Sequence, residues 1–143
     1  MAKLKGTVYS DGSYIPSTGF IGMAIILQME GKGTQKLVYR RKNKSSQGAN
    51  TAELRAVKTA IKAAYSLGVT KLIIYHYWDG VEMFSHPSNI KSRHRKFHFL
   101  RHYAEFVEKK RHNMGIKFVK VKSHSGVAGN VLVDKLAYQA AVC

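Results

Sequence analysis

Leu4-Lys5-Gly6-Thr7-Val8-Tyr9-Ser10-Asp11-Gly12-Ser13-Tyr14 is the stretch that decides how the rest of the chain is read. Residues 4–9 alternate and are rich in β-formers (Thr7, Val8, Tyr9), which predicts a strand. The strand runs into an aspartate followed at once by a glycine. A carboxylate at the C-terminal end of a sheet strand, with Gly12 beside it, is well placed to hold a hard cation against a phosphate. On its own, Asp-Gly-Ser is more often an ordinary turn. The strand end gains meaning only if other acids reach the same place.

Acids are scarce enough to follow one by one. The 143 residues carry 24 Lys+Arg against 8 Asp+Glu, a formal net charge of +16. The eight are Asp11, Glu30, Glu53, Asp79, Glu82, Glu105, Glu108 and Asp134. A solvated basic surface is the plain reading of such a charge. At this magnitude a polyanionic partner is expected, and nucleic acid is the commonest. Apolar residues make up 45% of the chain, enough for one domain over residues 1–143 with its own core. No apolar run approaches a membrane span and no signal peptide is evident, so a protein of the cytoplasm or another intracellular compartment, without a membrane partner, is expected. The single Cys143 makes neither an internal disulfide nor a Cys-based zinc site. His86 and His112 lack a ligand spacing pattern.

Residues 13–19, with Pro16, predict a loop, and residues 20–28 a second, largely apolar strand. Met29-Glu30-Gly31-Lys32-Gly33 reads as a hairpin turn into a third strand at 35–40. Asn50 or Thr51 can cap a helix whose apolar face is Leu54, Val57, Ile61, Ala64 and Tyr65, and Gly68 ends it. Residues 72–77 predict a fourth strand, parallel to an earlier one because a helix intervenes. Residues 80–84 suit a short helix and 86–96 a basic loop. Phe99, Leu100, Tyr103, Phe106 and Val107 mark a second long helix, 116–121 a fifth strand, and Val133, Leu136, Ala137 and Ala140 a last helix. The order β-β-β-α-β-α-β-α predicts an α/β fold. Its mixed five-stranded sheet has three antiparallel strands, then two parallel ones, flanked by helices.

In open α/β sheets, ligands bind where strand C-termini meet helix starts. Asp11 ends the first strand, Glu53 lies in the first turn of the first helix, and Asp79 follows the fourth strand. Asp134 is early in the last helix, and His124 is in the glycine-flanked loop before it. Clustered carboxylates without a cation repel one another and hold protons more tightly. Two Mg²⁺ turn them into ligands, since hard cations prefer oxygen. Two ions about 3.5–4 Å apart stabilise both the attacking and the leaving oxygen of a phosphodiester hydrolysis. Taken singly, each residue has a blander reading. Glu53 can complement a helix dipole, Asp134 can be a surface acid beside Lys135, and His124 can be a loop histidine.

Four segments carry a resemblance. They are Val8-Tyr9-Ser10-Asp11-Gly12-Ser13, Asn50-Thr51-Ala52-Glu53-Leu54-Arg55-Ala56, Val119-Lys120-Val121-Lys122-Ser123-His124-Ser125-Gly126, and Asn130-Val131-Leu132-Val133-Asp134-Lys135-Leu136-Ala137. In this order they make the chain resemble the type 1 ribonuclease H family over nearly its whole length. The resemblance implies a ribonuclease H-like fold and endonucleolytic cleavage of the RNA strand of RNA/DNA hybrids with two Mg²⁺ or Mn²⁺ ions. By similarity, Asp11 contacts both ions, Glu53 one and Asp134 the other. His124 assists water activation or product release. Asn50 touches the RNA backbone or its 2′-hydroxyl, and Gly12, Ser13 and Asn130 are expected beside the nucleic acid.

One position departs from the family. Its remaining carboxylate, counted without gaps from Gly68-Val69, falls on Tyr77, where the chain reads His76-Tyr77-Trp78-Asp79-Gly80. A neutral phenol with a pKa near 10 is a poor Mg²⁺ ligand. Asp79 is the expected replacement. In an extended chain it points to the same face as Tyr77, roughly 6.6 Å further on. A bulge before Gly80, or a bridging water, would bring it back.

Lys91, Arg93, Arg95, Lys96 and Arg101 form a basic stretch, interleaved with Phe97, Phe99 and Tyr103. The cations are expected to grip phosphates, while Phe99 and Tyr103 face the core. Backbone contacts of this kind are sequence-tolerant and salt-dependent. Two readings follow: a monomeric, metal-dependent hybrid nuclease, or a catalytically impaired ribonuclease H fold. The second would bind RNA, hybrid or a ribonucleoprotein through its basic surface. A basic DNA-binding protein of unrelated fold leaves the ordered acids unexplained.

Overall fold

Antiparallel pairing carries the first strand well past the point where its sequence alternation stops. In the computed structural model, which describes residues 3–42, 48–91, 98–122 and 128–142, β1 spans Lys5–Ile15, β2 Phe20–Met29 and β3 Gly33–Lys42. The β1–β2 register runs from Gly6↔Met29 through Asp11↔Ala24 to Ile15↔Phe20. The loop expected at 13–19 is therefore only a tight turn after Ile15, and Asp11 lies inside a paired strand. It still marks the end of something. β4 (Lys71–His76) pairs with β1 in parallel only as far as Tyr9↔Tyr75. Beyond Tyr9, β1 has a strand on one side only.

Helix α1 spans Gly48–Ser66. It starts earlier than its capping residues suggested, so Asn50 and Thr51 sit inside its first turn and Glu53 beyond it. No acid occupies that first turn, and helix-dipole compensation does not account for Glu53. Gly68 ends the helix at φ +88°, where the Val69 amide reaches the Ala64 carbonyl; a left-handed residue is what glycine supplies there. After β4 come α2 (Gly80–Met83), a 3-10 turn (Pro87–Asn89), α3 (His98–Arg111), β5 (Gly115–Lys120) and α4 (Ala128–Val142).

The sheet order is β3-β2-β1-β4-β5, with β1–β4 and β4–β5 parallel. This is the mixed five-stranded, ribonuclease H-like sheet expected from the element order. Strand periodicity sorts its two faces. Val8, Ile25, Leu27, Leu72 and Ile74 point to the face covered by α1 and α3, where they meet Leu54, Val57, Ile61, Leu100 and Val107. Each of those side chains that is fully buried contributes about 1.5–3 kcal/mol relative to exposure. Ala24 and Ile26 point to the other face and pack against Val133 and Ala137 of α4. Tyr103 is buried, as expected, and its hydroxyl donates to the Val81 carbonyl at 2.6 Å, tying α3 to the segment after β4. No helix among the described residues is long and apolar enough to cross a membrane.

Candidate active site

Gly12 explains how α1 comes close enough to β1 to matter. Any Cβ on Gly12 would overlap the backbone carbonyl of Ala52 and crowd the amide of Glu53. The strand and the helix therefore touch backbone to backbone at the residue before Glu53. Gly22 does the same on the opposite face, where a Cβ would overlap the Ala137 carbonyl of α4. Two glycines thus set two helices onto β1 and β2 from opposite sides. The sequence gives no clue that Gly22 has this role, because its contact partner is 115 positions away by number (137 − 22).

Asp11 and Glu53 are both buried. The Asp11 carboxyl lies within hydrogen-bonding reach of both Glu53 and Asp134, the latter on the exposed side of α4. Three of the four expected carboxylates therefore come together. The burial of Asp11 and Glu53 has a price in free energy. The Asp11 carboxyl holds its proton far above the usual carboxylate range, mainly because it is buried, and then because Glu53 and Asp134 press negative charge on it. Burial also raises Glu53, against the hydrogen bonds it accepts from Asp11 and Tyr77. One oxygen, Asp11 Oδ1, is buried without any hydrogen-bond partner. A buried acceptor left unsatisfied costs about 1–3 kcal/mol.

Tyr77 stands where the fourth carboxylate was sought. Continuing the β1–β4 register two residues past Tyr9↔Tyr75 sets Tyr77 beside Asp11. Tyr77 keeps 37% of its surface exposed, with its phenol turned toward Glu53 and Asp11; desolvation and then the charges of Glu53 and Asp11 push its ionisation up. It is a neutral group at any ordinary pH.

Asp79, the expected replacement, is turned to a different partner. The chain is not extended at 79: Asp79 has φ −58° and ψ −30° as the residue that starts α2. No bulge returns it toward Asp11. Its exposed carboxylate instead accepts from Lys120 Nζ at 2.7 Å, and that contact holds it below the usual carboxylate range. Lys120 is there because β5 pairs it with His76. The segment after β4 is pinned further by Arg111, which donates to the Ser85 carbonyl at 2.9 Å and to Ser85 Oγ at 2.8 Å.

The remaining expected residues are spread around this cluster. Ser13 is part-buried and paired with Gly22. Asn50 is exposed in the first turn of α1, and Arg101 is exposed on α3. Lys91 Nζ donates to the Ser88 carbonyl at 3.3 Å. Asn130 lies at the start of α4, with its side chain outside the described set. Arg93, Arg95, Lys96 and His124 lie outside the described residues.

Among the described residues, no group of three or more His, Cys, Asp or Glu side chains is already arranged to hold a metal ion. The donor chemistry nonetheless fits a hard cation at one position. Asp11, Glu53 and Asp134 offer only oxygens, and Asp11 Oδ1 is buried and unsatisfied. The fit is incomplete beside Glu53, where the next group is a phenol.

A family model described as RNase H matches residues 4–142. No curated protein matches the chain. Among solved structures, it is similar to RNase H1 of the halophilic archaeon Halobacterium salinarum, with a TM-score of 0.75 and 18% identity over 95% of this chain and 96% of that one. It is also similar to the N-terminal RNase H domain of a Mycobacterium tuberculosis protein, solved as a fusion with maltose-binding protein. There the TM-score is 0.72 and the identity 17%, over 98% and 95% of the two chains. The prototype foamy virus protease-reverse transcriptase matches with a TM-score of 0.70 and 21% identity, over 98% of this chain and 21% of the viral one. At these identities the structural likeness speaks to the fold.

Proposed function

The chain belongs to the RNase H family, and from that premise we propose that residues 1–143 form one monomeric domain that hydrolyses the RNA strand of RNA/DNA hybrids. Members of the family typically use divalent metals and bind nucleic acid. The single observation that carries the reading is the convergence of Asp11, Glu53 and Asp134 around a buried, unsatisfied Asp11 oxygen.

In this proposal Asp11 and Asp134 hold a Mg²⁺ or Mn²⁺ ion, and Glu53 completes the oxygen set on the helix side. A bound divalent ion supplies a more acidic water and offsets negative charge at the scissile phosphate. The chain's own contribution is positional. The Gly12 contact keeps Glu53 against β1, and the α4 contact at Gly22 sets the distance of Asp134. Asn50, Ser13 and Asn130 face the nucleic acid while Gly12 stays packed on α1, the cations from Lys91 to Arg101 grip its backbone, and His124 assists proton transfer or product release.

The test is cleavage of an end-labelled hybrid in Mg²⁺ and, separately, in Mn²⁺. The expected result is RNA-strand cutting that Asp11→Asn abolishes, and silence in both ions overturns the proposal. Tyr77 supports a second reading. A phenol in place of the fourth acid removes one ligand from a second ion and favours a fold that binds hybrid or structured RNA, alone or in a ribonucleoprotein, without turnover. Tight, salt-sensitive binding with no cleavage in either ion selects that reading.

A further inference from the structure

The outer face of α1 carries a set of cations that the segment from Lys91 to Arg101 does not include. Arg55, Lys58 and Lys62 line this face of the helix, and Arg41 reaches toward them from β3. Three aromatic rings alternate with cations across the α1–α3 seam. The Arg55 guanidinium lies 4.4 Å from the centre of the Phe99 ring, and Lys58 is shared between Phe99 at 6.0 Å and Phe106 at 5.4 Å. Lys110 is shared between Phe106 at 5.8 Å and Tyr65 at 4.0 Å. The rings orient these cations without neutralising them.

No acid does so either. The ion pairs between described residues are His76–Glu82, Arg111–Glu108 and Lys120–Asp79, and none involves this face. Burial, then Arg41, makes Arg55 easier to deprotonate than usual; burial, then Lys62, Arg55 and Arg41, does the same to Lys58. Like charges are thus held together on a rigid helix, at a cost that an anion would relieve. Between β3 and α1 the face opens into a cleft of about 460 Å³ lined by Tyr39, Arg40, Arg41, Thr59, Lys62 and Ser66. The threonine and serine hydroxyls there are already committed. Thr59 donates to the Arg55 carbonyl and Ser66 to the Lys62 carbonyl. Charge from Arg40, Arg41 and Lys62 is what the cleft chiefly offers.

We infer that the outer face of α1, with Arg41 and Lys110 at its two sides, is a second surface for the phosphate backbone of a nucleic-acid duplex. It rests on the nucleic-acid part of the function proposed above, but not on cleavage. The repeat of cations along a straight helix suits a regularly spaced polyanion better than a single anion. Contacts of this kind carry no sequence information.

The experiment uses the full chain with Asp11→Asn, so that binding is read without cutting. A labelled RNA/DNA hybrid is titrated across a salt series by anisotropy. One variant combines Arg41→Gln, Lys58→Gln and Lys62→Gln. A control combines Lys5→Gln, Lys71→Gln and Lys117→Gln, removing the same charge where β1 and β4 begin and early in β5. The face variant is expected to flatten the slope of log affinity against log salt by about 2 to 3, at roughly 0.7–0.9 per lost phosphate contact. The control should change it far less, and the charge-conserving Arg41→Lys, Lys58→Arg, Lys62→Arg variant should bind as the parent does. Equal losses in the face and control variants overturn the inference in favour of net charge alone. An unchanged slope overturns it outright, as does an intact hybrid affinity with lost binding to polyglutamate, which points to an acidic protein. Lys62→Gln alone, on an exposed residue, keeps the test decisive if the triple variant unfolds. A chain that binds in this way but never cuts overturns the hydrolytic reading and leaves this surface standing. A chain that cuts, with affinity indifferent to the face variant, does the reverse.

Discussion

The Tyr77 phenol stands within interaction reach of the Glu53 carboxylate, beside Asp11 and where the family carries a fourth acid. The phenol gives Glu53 a neighbour that asks for no cation. Tyr77→Asp is expected to add an oxygen ligand and tighten a second Mn²⁺ ion by roughly 10–100-fold, the usual scale for changing one partner of a metal site. Calorimetric titration should read the stoichiometry moving from one ion toward two. Asp79→Asn is expected to leave both ions' affinities alone, because its exposed carboxylate is turned to Lys120. A fall in metal affinity in that variant would restore Asp79 as a ligand.

Asp11→Asn should do two opposite things. It removes the acid that Glu53 and Asp134 press against, so the metal-free protein should melt at a higher temperature than the parent at pH 8. It also removes a ligand, so adding Mg²⁺ should no longer raise the melting temperature. Differential scanning calorimetry with and without Mg²⁺ reads both. A metal-free variant that melts lower than the parent contradicts the crowding of these carboxylates.

The same crowding sets a pH dependence. Asp11 and Glu53 bind their protons more tightly folded than unfolded. Below the unfolded carboxylate range, about 4, both states are protonated and no difference arises. As pH rises above that range, the unfolded chain releases these protons and the folded one resists, so stability falls. Metal-free protein should therefore lose melting temperature between pH 5 and pH 9, at roughly one proton's linkage per unheld group. Mg²⁺ should flatten that decline, and should do so more at pH 8 than at pH 5. A metal-free melting temperature that rises over this interval would reverse the sign of the argument.

Gly12→Ala should separate stability from site geometry. The added methyl meets the Ala52–Glu53 backbone, which cannot swing aside as a flexible side chain would. Overpacking of this kind costs about 1–3 kcal/mol. Because α1 must move off β1, Glu53 should also leave Asp11, and Mg²⁺ should stabilise the variant less than the parent. Chemical denaturation at two Mg²⁺ concentrations measures both effects. Unchanged stability would mean that the helix sits less tightly on the strand than the geometry requires.

Much of this protein is legible along the chain, for a local reason. Alternation in 4–9 and the helical spacing of Leu54, Val57 and Ile61 report which face each element buries. The order of those elements leaves few sheets to build. Asp11, Glu53 and Asp134 are visible for the same reason, since each stands in a segment whose pattern is contiguous. What stands beside Asp11 is not a local property. It is set by the β1–β4 register, which brings Tyr77 into line, and by β5, which delivers Lys120 to capture Asp79 as the chain turns into α2. The cations of α1 are not legible along the chain for a related reason. Spaced along a helix, Arg55, Lys58 and Lys62 look like an ordinary solvated face, and only the packing of α3 and β3 against it brings Arg41, Lys110 and three aromatic rings to their side. Sequence periodicity determines which way a side chain points within its own element. Only tertiary pairing decides which charge or hydroxyl it meets.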